Sequence, residues 1–371
     1  MARKQEQEAA RSDVVEVAPD VLRMELPIRL PGLGHVNCYA IVDGEGAALV
    51  DPGLPGPGSW RALQERLKTA GLATRHVHSV IVTHSHPDHF GGAARFAKEA
   101  DAQVVAHRSF RFGPPAPHDS SEVSAEQLGR EDPPSGDAVP PGEGEGSADP
   151  EEQRTREAIA AHSATRTPWG GRRPRPPLRI RLKWQAMRWI SGRIVPVVTH
   201  PVEHGDVLEL AGREWFVVHT PGHTGDHFCL HDPSEGTFLA GDHVLPSITP
   251  HISGLASSED PLASYFYSLD RVGELSDVKQ VLPAHGHPFA DLKARAIAIK
   301  EHHHERLGKL KEISRDLGPA TVQTFSERLF KPRSWGAMAE SETFAHLEHL
   351  RIAGDAERRV EHDGSYRYVL G

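Results

Sequence analysis

Cysteine is almost missing from this chain: there are two in 371 residues, Cys38 and Cys229. So small a supply excludes a disulfide-stapled scaffold and suits a reducing compartment. Both thiols lie inside apolar runs, Cys38-Tyr39-Ala40-Ile41-Val42 and Phe228-Cys229-Leu230, and read as packing residues, not as a thiol catalyst. Long apolar runs are missing as well; none approaches the ~20 residues that cross a bilayer. The stretch Met1–Arg11 is polar and charged, with no apolar h-region, so it does not read as a signal peptide and a cytoplasmic location is expected. An excess of positive charge is also lacking. The net charge of −9 argues against a generally basic nucleic-acid binder. There is no G-x-S-x-G elbow, no P-loop and no G-x-G-x-x-G between a strand and a helix, so the common nucleophile and nucleotide signatures do not compete.

Histidine, by contrast, is plentiful at 25 residues. Chance pairs are therefore expected, but the run Thr83-His84-Ser85-His86-Pro87-Asp88-His89 is far more ordered than chance. It follows the apolar stretch Val80-Ile81-Val82, so a strand end delivers three imidazoles and a carboxylate to one sheet edge. Imidazole suits zinc and other borderline first-row metals, and carboxylate adds charge for a second ion. Phe90-Gly91-Gly92 then leads into a helix-like stretch, Ala93–Ala100. Further ligand types recur in the same setting: His223 after Trp215–His219, Asp242 after Phe238-Leu239-Ala240-Gly241, and His285 after Val281-Leu282-Pro283-Ala284. Strand ends that share a sheet edge can converge on one cleft.

With THSHPDHFGG, TPGHT, GD and AHG in this order, the chain resembles the metallo-β-lactamase fold superfamily over about 14–110 and 200–300. The resemblance implies an α/β fold, an αββα sandwich, with two divalent metal ions: Zn2+, with Mn2+ or Fe2+ as alternatives. It implies His84, His86 and His223 at the first ion, Asp88, His89 and His285 at the second, and Asp242 as the bridge. An Asp at the bridging place resembles the hydrolase branches (glyoxalase II, lactonases, ribonucleases) more than the best-known β-lactamases, where a Cys often serves at the second metal. In such a site a metal-bridging hydroxide replaces a protein nucleophile. The catalytic set is then Asp88, Asp242 and His243. His243 reads either as a proton donor to the leaving group or as an ordinary cleft histidine. Asp51 reads either as a turn residue or as hydrogen-bonded support for a ligand.

Along the chain, residues 1–13 read as a flexible N-terminus and 14–288 as the metal-binding domain. Val21–Leu26, Asn37–Val42 and Ala47–Val50 suggest an antiparallel meander, followed by a helix over Trp60–Thr69 capped by Ser59. Two hairpins are expected around Ala211-Gly212-Arg213 and Pro233–Gly236, then a helix over Ser258–Val272. Between them, about 114–177 is rich in Pro, Gly, Ser and Glu and reads as a largely disordered insertion, removable without unfolding the core. Leu178–Val195 reads as a cationic amphipathic helix that packs over the cleft. Residues 289–371 give three helices, Ala290–Arg315, Thr321–Phe330 and Ser341–Ala353 (Ser341 as cap), then a hairpin of Ala356–Val360 and Tyr366–Leu370. This order resembles the winged-helix domain of the lactamase-beta-like group. His302-His303-His304 point in different directions on a helix and do not form one metal site.

The expected function is a dinuclear metal-dependent hydrolase of an ester, thioester, lactone or phosphodiester. Alternatives are an RNA-processing endoribonuclease of the lactamase-beta-like type and a mononuclear iron persulfide dioxygenase; the full second ligand set argues against the latter. Glyoxalase II activity is weakened because Gly286-His287-Pro288-Phe289 follows His285 in place of the usual His-Glu-Tyr. The partner is a small-molecule or RNA substrate, and the sequence leaves homo-oligomer formation open.

Overall fold

The computed structural model describes residues 4–30, 32–112, 167, 169–170, 194–255, 258–362 and 364–371. Most of the Pro/Gly-rich segment and of the expected helix over 178–195 thus lies outside the described residues.

Two sheets face one another. The first runs β1 (Val14–Ala18), β2 (Val21–Leu30), β3 (Leu33–Val42), β4 (Ala47–Val50), β5 (Val77–Val82), β6 (Gln103–His107) and β7 (His200–Val202), in that spatial order. It is antiparallel from β1 to β4 and parallel from β4 to β7. The second comprises β8 (Val207–Leu210), β9 (Arg213–His219), β10 (Phe228–Asp232), β11 (Thr237–Gly241) and β12 (Gln280–Pro283). Its order is β12-β11-β10-β9-β8, parallel only between β11 and β12.

The strands are apolar on both faces because both faces are covered. Successive side chains alternate between two cores. Tyr39, Ile41, Ala48, Val50 and Ile81 point inward to meet Val217, Phe228, Leu230, Leu239 and Leu282 of the other sheet. Their neighbours Cys38, Ala40, Leu49, Val80 and Val82 point outward. There they pack under α1 (Pro57–Thr69) and α3 (Ala93–Glu99), through Leu63, Leu67 and Phe96. On the far side Cys229, Phe238, Ala240 and Val281 pack beneath α4 (Pro261–Gly273). A one-residue register slip would swap both faces at once. The result is the expected αββα order, with both cysteines in the core.

Among the described residues, the remaining α-helices are α2 (Pro87–Phe90), α5 (Leu292–Leu317), α6 (Val322–Leu329) and α7 (Ala337–Ile352). With β13 (Ala320–Thr321), β14 (Ala356–Val360) and β15 (Tyr366–Leu370), the last three of these helices form the C-terminal unit, whose sheet order is β13-β15-β14. The three helices and the hairpin stand where the sequence placed them; β13 is additional, too short to show a period. α5 shares a continuous core with α4 through Ile299, Leu307, Tyr265 and Leu269. Among the described residues, no helix is long and apolar enough to cross a membrane.

Several local expectations are corrected. Ser59 does not cap α1: Gly56 holds the cap position and Pro57 opens the helix, leaving Ser59 buried inside it. α4 starts later than expected, where Asp260 accepts from Ala263 N at 2.9 Å ahead of Pro261. Ser341 lies one turn inside α7, because that helix begins at Ala337. The N-terminal segment expected to be flexible holds one packed residue. Glu6 is fully buried, and its carboxylate accepts from Ser247 N at 2.8 Å and from Ile248 N at 3.1 Å. Polar composition hid this contact, because the partner lies 241 residues away.

The expected insertion also carries an anchor. Trp169 is only 6% exposed, with its ring 5.3 Å from that of Phe344. Its indole donates to Glu340 at 3.2 Å, and its carbonyl accepts from Tyr366 N at 3.0 Å. A deletion running through 177 would therefore remove a packed residue. Trp169→Ala should destabilise the chain by about 3–5 kcal/mol in urea unfolding. A change below about 0.5 kcal/mol, the size of an ordinary surface substitution, would show that this docking contributes nothing.

Candidate metal centre

The donor groups collect where both sheets end. His84 follows β5, His223 follows β9, Asp242 follows β11 and His285 follows β12. The sheets are stitched together there: Phe228 N donates to Thr83 O at 3.0 Å, and Asn37 N to Ala284 O at 2.7 Å. His86 caps α2 and Pro87 opens it, a position that needs no N–H, so one tight turn carries Asp88 and His89 back to the site. Two glycines are obligatory. Gly222 has φ +140°, and a Cβ on it would lie 2.5 Å from that of Tyr265. Gly241 has φ +50°, and its Cβ would lie 2.6 Å from Nε2 of His227.

All seven expected ligands come together, as His84, His86, His223 and Asp242 in one group and Asp88, His89 and His285 in the other. The Nδ1 partners fix the imidazole tautomers. Nδ1 of His223 donates to the carbonyl of His251 at 2.8 Å, and Nδ1 of His285 to that of His35 at 2.7 Å. Nδ1 of His89 donates to Asp51 at 2.8 Å. The Thr83 hydroxyl donates to Asp51 at 2.8 Å and so accepts from Nδ1 of His84 at 3.0 Å. In its neutral form each of these four rings therefore presents a bare Nε2 lone pair to the site.

At the first group the one nitrogen of His86 can donate to only one of two such lone pairs at a time. Nδ1 of His86 lies 3.0 Å from Nε2 of His84 and 3.1 Å from Nε2 of His223. An ion bound tetrahedrally at ~2.0–2.1 Å holds its nitrogens ~3.3 Å apart, so the triad is already near that spacing. Nε2 of His89, Nε2 of His285 and Oδ1 of Asp242 are buried without a hydrogen-bond partner. Asp242 stands between the groups, with Oδ1 3.3 Å from His285 and Oδ2 3.6 Å from both His89 and His223. Converging buried acceptors of this kind fit a cation and little else.

The electrostatics agree. Burial, then neighbouring imidazoles, hold His84 and His86 far below the usual histidine range, so both remain neutral donors. Burial opposes ionisation of Asp242, but His285 and His89 outweigh it and keep the carboxylate charged. His89 and His285 are pushed up: burial lowers both, yet Asp51 and Asp242 at His89, and Asp242 at His285, prevail. A potential that draws a proton to these Nε2 atoms draws a divalent cation too.

Asp51 is thus no mere turn residue. It has φ +54°, is 1% exposed, and binds Thr83 and His89 together. His243 is not a solvent-facing cleft histidine. It is fully buried against Tyr265 and His227, and burial pushes its pKa down to about 3. Four residues escaped the sequence reading. His227 accepts from Asp242 N at 3.0 Å, and Asp226 accepts from the Ser85 hydroxyl at 3.1 Å. His35 and His251 act through their backbone carbonyls, which no side-chain pattern can reveal. Only the spacing His223-x-x-Asp226-His227 offered a signal.

The metallo-beta-lactamase superfamily model matches residues 31–285. The chain belongs to that superfamily and is one of its hydrolases. It is 26% identical over 267 residues to an acyl-coenzyme A thioesterase of Homo sapiens, covering 69% of this chain and 74% of the relative. To a hydroxyacylglutathione hydrolase of Maricaulis maris it is 30% identical over 131 residues, 35% of this chain and about half (49%) of that protein. A metallo-beta-lactamase family protein of Thermus thermophilus superposes with a TM-score of 0.68 at 26% identity, over 96% of this chain and 100% of its own.

The support behind the ligands can be tested at Asp51. Asp51→Ala should weaken zinc binding by about 10- to 100-fold, read by competition with a chromogenic chelator; unchanged affinity would remove Asp51 from the site. A second test concerns acid. Burial pushes five histidines outside the donor set down: His107 and His243 to about 3, His219 and His346 to about 4, and His303 to about 2. The unfolded chain takes up protons below pH ~6.5 that the fold refuses. Their contribution to stability is therefore full above ~6.5 and lost as pH falls toward 4, against a smaller opposite contribution from the raised His89 and His285. The urea midpoint of the chelated chain should drop between pH 7 and 5.5; a constant midpoint would contradict this.

Proposed function

We propose that the chain is a dinuclear metal-dependent hydrolase of acyl thioesters. One observation carries the dinuclear part: Asp242 reaches both donor groups, with Oδ1 toward His285 and Oδ2 toward His89 and His223. When bound, two divalent ions would supply a Lewis acid for the scissile carbonyl and lower the pKa of a water molecule. The chain supplies the rest. The histidines would supply neutral lone pairs, and the carboxylates of Asp88 and Asp242 would offset part of the dication charge. Asp51, His35 and His251 hold the ring orientations so that little reorganisation is needed during reaction.

Two considerations support a thioester. Two of the relatives are named for acyl-thiol substrates, an acyl-coenzyme A and a hydroxyacylglutathione. The burial of His243 points the same way. A thiol leaving group, with a pKa of about 8–9, departs as thiolate with less need of a proton than an alkoxide. Lactones, alkyl esters and single-stranded RNA are the substrates this reading ranks lower.

A panel of these substrates on the zinc-loaded chain tests the reading. Acyl-thiol turnover should exceed alkyl-ester turnover, and RNA cleavage without thioester turnover would overturn it. Asp242→Asn should lower thioester kcat/KM by at least ~100-fold while shifting the unfolding midpoint of the chelated chain little. Full activity in that variant would show that Asp242 does not serve both ions.

A further inference from the structure

We propose that the two ends of the chain each hold one metal-ligating histidine in place: the C-terminal helices hold His223 through His251, and the N-terminal segment holds His285 through His35. The inference rests on the reading that both donor groups bind an ion.

The C-terminal half of the arrangement starts at the His251 carbonyl, which takes the Nδ1 proton of His223 at 2.8 Å. His251 lies between β11 and α4, outside the described helices and strands. α7 fixes it instead. Gly254 N donates to both the carbonyl and the hydroxyl of Ser341 at 3.1 Å. Nδ1 of His251 faces Glu342 at 3.4 Å. Glu342 in turn pairs with Arg306 of α5, and Arg306 contacts Nε2 of His302 at 2.9 Å. Two C-terminal helices are thereby tied to one loop.

The N-terminal half mirrors it. The His35 carbonyl takes the Nδ1 proton of His285 at 2.7 Å. The His35 ring is fully buried, donating to Glu8 O at 2.9 Å and accepting from Gly286 N at 3.2 Å. Gln5 accepts from His287 N at 2.8 Å. Glu6 binds Ser247 through both its amide and its hydroxyl, at 2.8 and 2.5 Å. Residues 5–8 thus clamp the loop after His285 and the loop after Asp242.

These are positioning residues, acting on the direction of an Nε2 lone pair. Partners of this kind commonly set metal affinity by 10- to 100-fold. A purely structural role would weaken the fold without distinguishing the two ions, so the test separates the sites. His89→Ala leaves the His84, His86, His223 group intact, and His86→Ala leaves the Asp88, His89, His285 group intact. Zinc affinity is measured in each background by chelator competition on the full chain. Adding Glu342→Ala should weaken binding about 10-fold or more in the His89→Ala background and leave the His86→Ala background unchanged. Adding Gln5→Ala, which removes the bond to His287 N on the loop after His285, should do the reverse. If Glu342→Ala fails to fold, the milder Ser341→Ala, which removes only the hydroxyl contacts to Gly254 N and Ser253 Oγ, should give a smaller shift in the same site. Equal effects on both sites, or no effect on either, would overturn the inference. A background that binds no zinc before either end is altered would overturn the dinuclear reading and this inference with it.

Discussion

Everything at this site depends on what occupies Nδ1 of each imidazole. A neutral histidine has one donor and one acceptor, and a hydrogen bond on one nitrogen decides the other. Carbonyls at His251 and His35, and the Asp51 carboxylate with Thr83, take the Nδ1 protons of His223, His285, His89 and His84. Four buried lone pairs must then face one another. Because they are buried, such an arrangement is costly unless cations satisfy them. Metal preference is therefore written into the hydrogen bonds behind the ligands as much as into the ligands.

The fold exists at this point to bring strand ends together. Each sheet alone presents only part of the donor set: His84, His86, Asp88 and His89 from the first, His223, Asp242 and His285 from the second. The apolar layer between them, built from Tyr39, Ile41, Phe228, Leu230 and their neighbours, fixes the separation. Close-packed interiors do not deform gradually, so this layer also fixes the relative placing of the two donor groups.

Much of this was legible in the sequence. The convergence of the seven candidate ligands is, because metal chemistry restricts residue type and strand ends are marked by apolar runs and glycines. The hairpin at Ala211-Gly212 is too, because both residues adopt positive φ there, as a tight two-residue turn demands. What escaped was long-range. Glu6 reads as a charged residue in a polar terminus and is fully buried, since its partners are backbone amides at 247 and 248. Trp169 reads as part of a Pro/Gly-rich stretch and packs on Phe344. His243 reads as a cleft residue because it follows Asp242. Yet the chain turns there, with His243 N bonded to Ala240 O at 3.0 Å, and the ring lies in the core. Local pattern fixes neither the direction of a side chain after a turn nor a contact across hundreds of residues.

The central claim is that two ions share Asp242. Anomalous diffraction at the zinc edge, from crystals of the zinc-loaded chain, tests it most directly. The account predicts two peaks about 3.5–4 Å apart, one against His84, His86 and His223 and the other against Asp88, His89 and His285, with the Asp242 carboxylate touching both. A single peak at full zinc loading, or a second peak away from these residues, would contradict it.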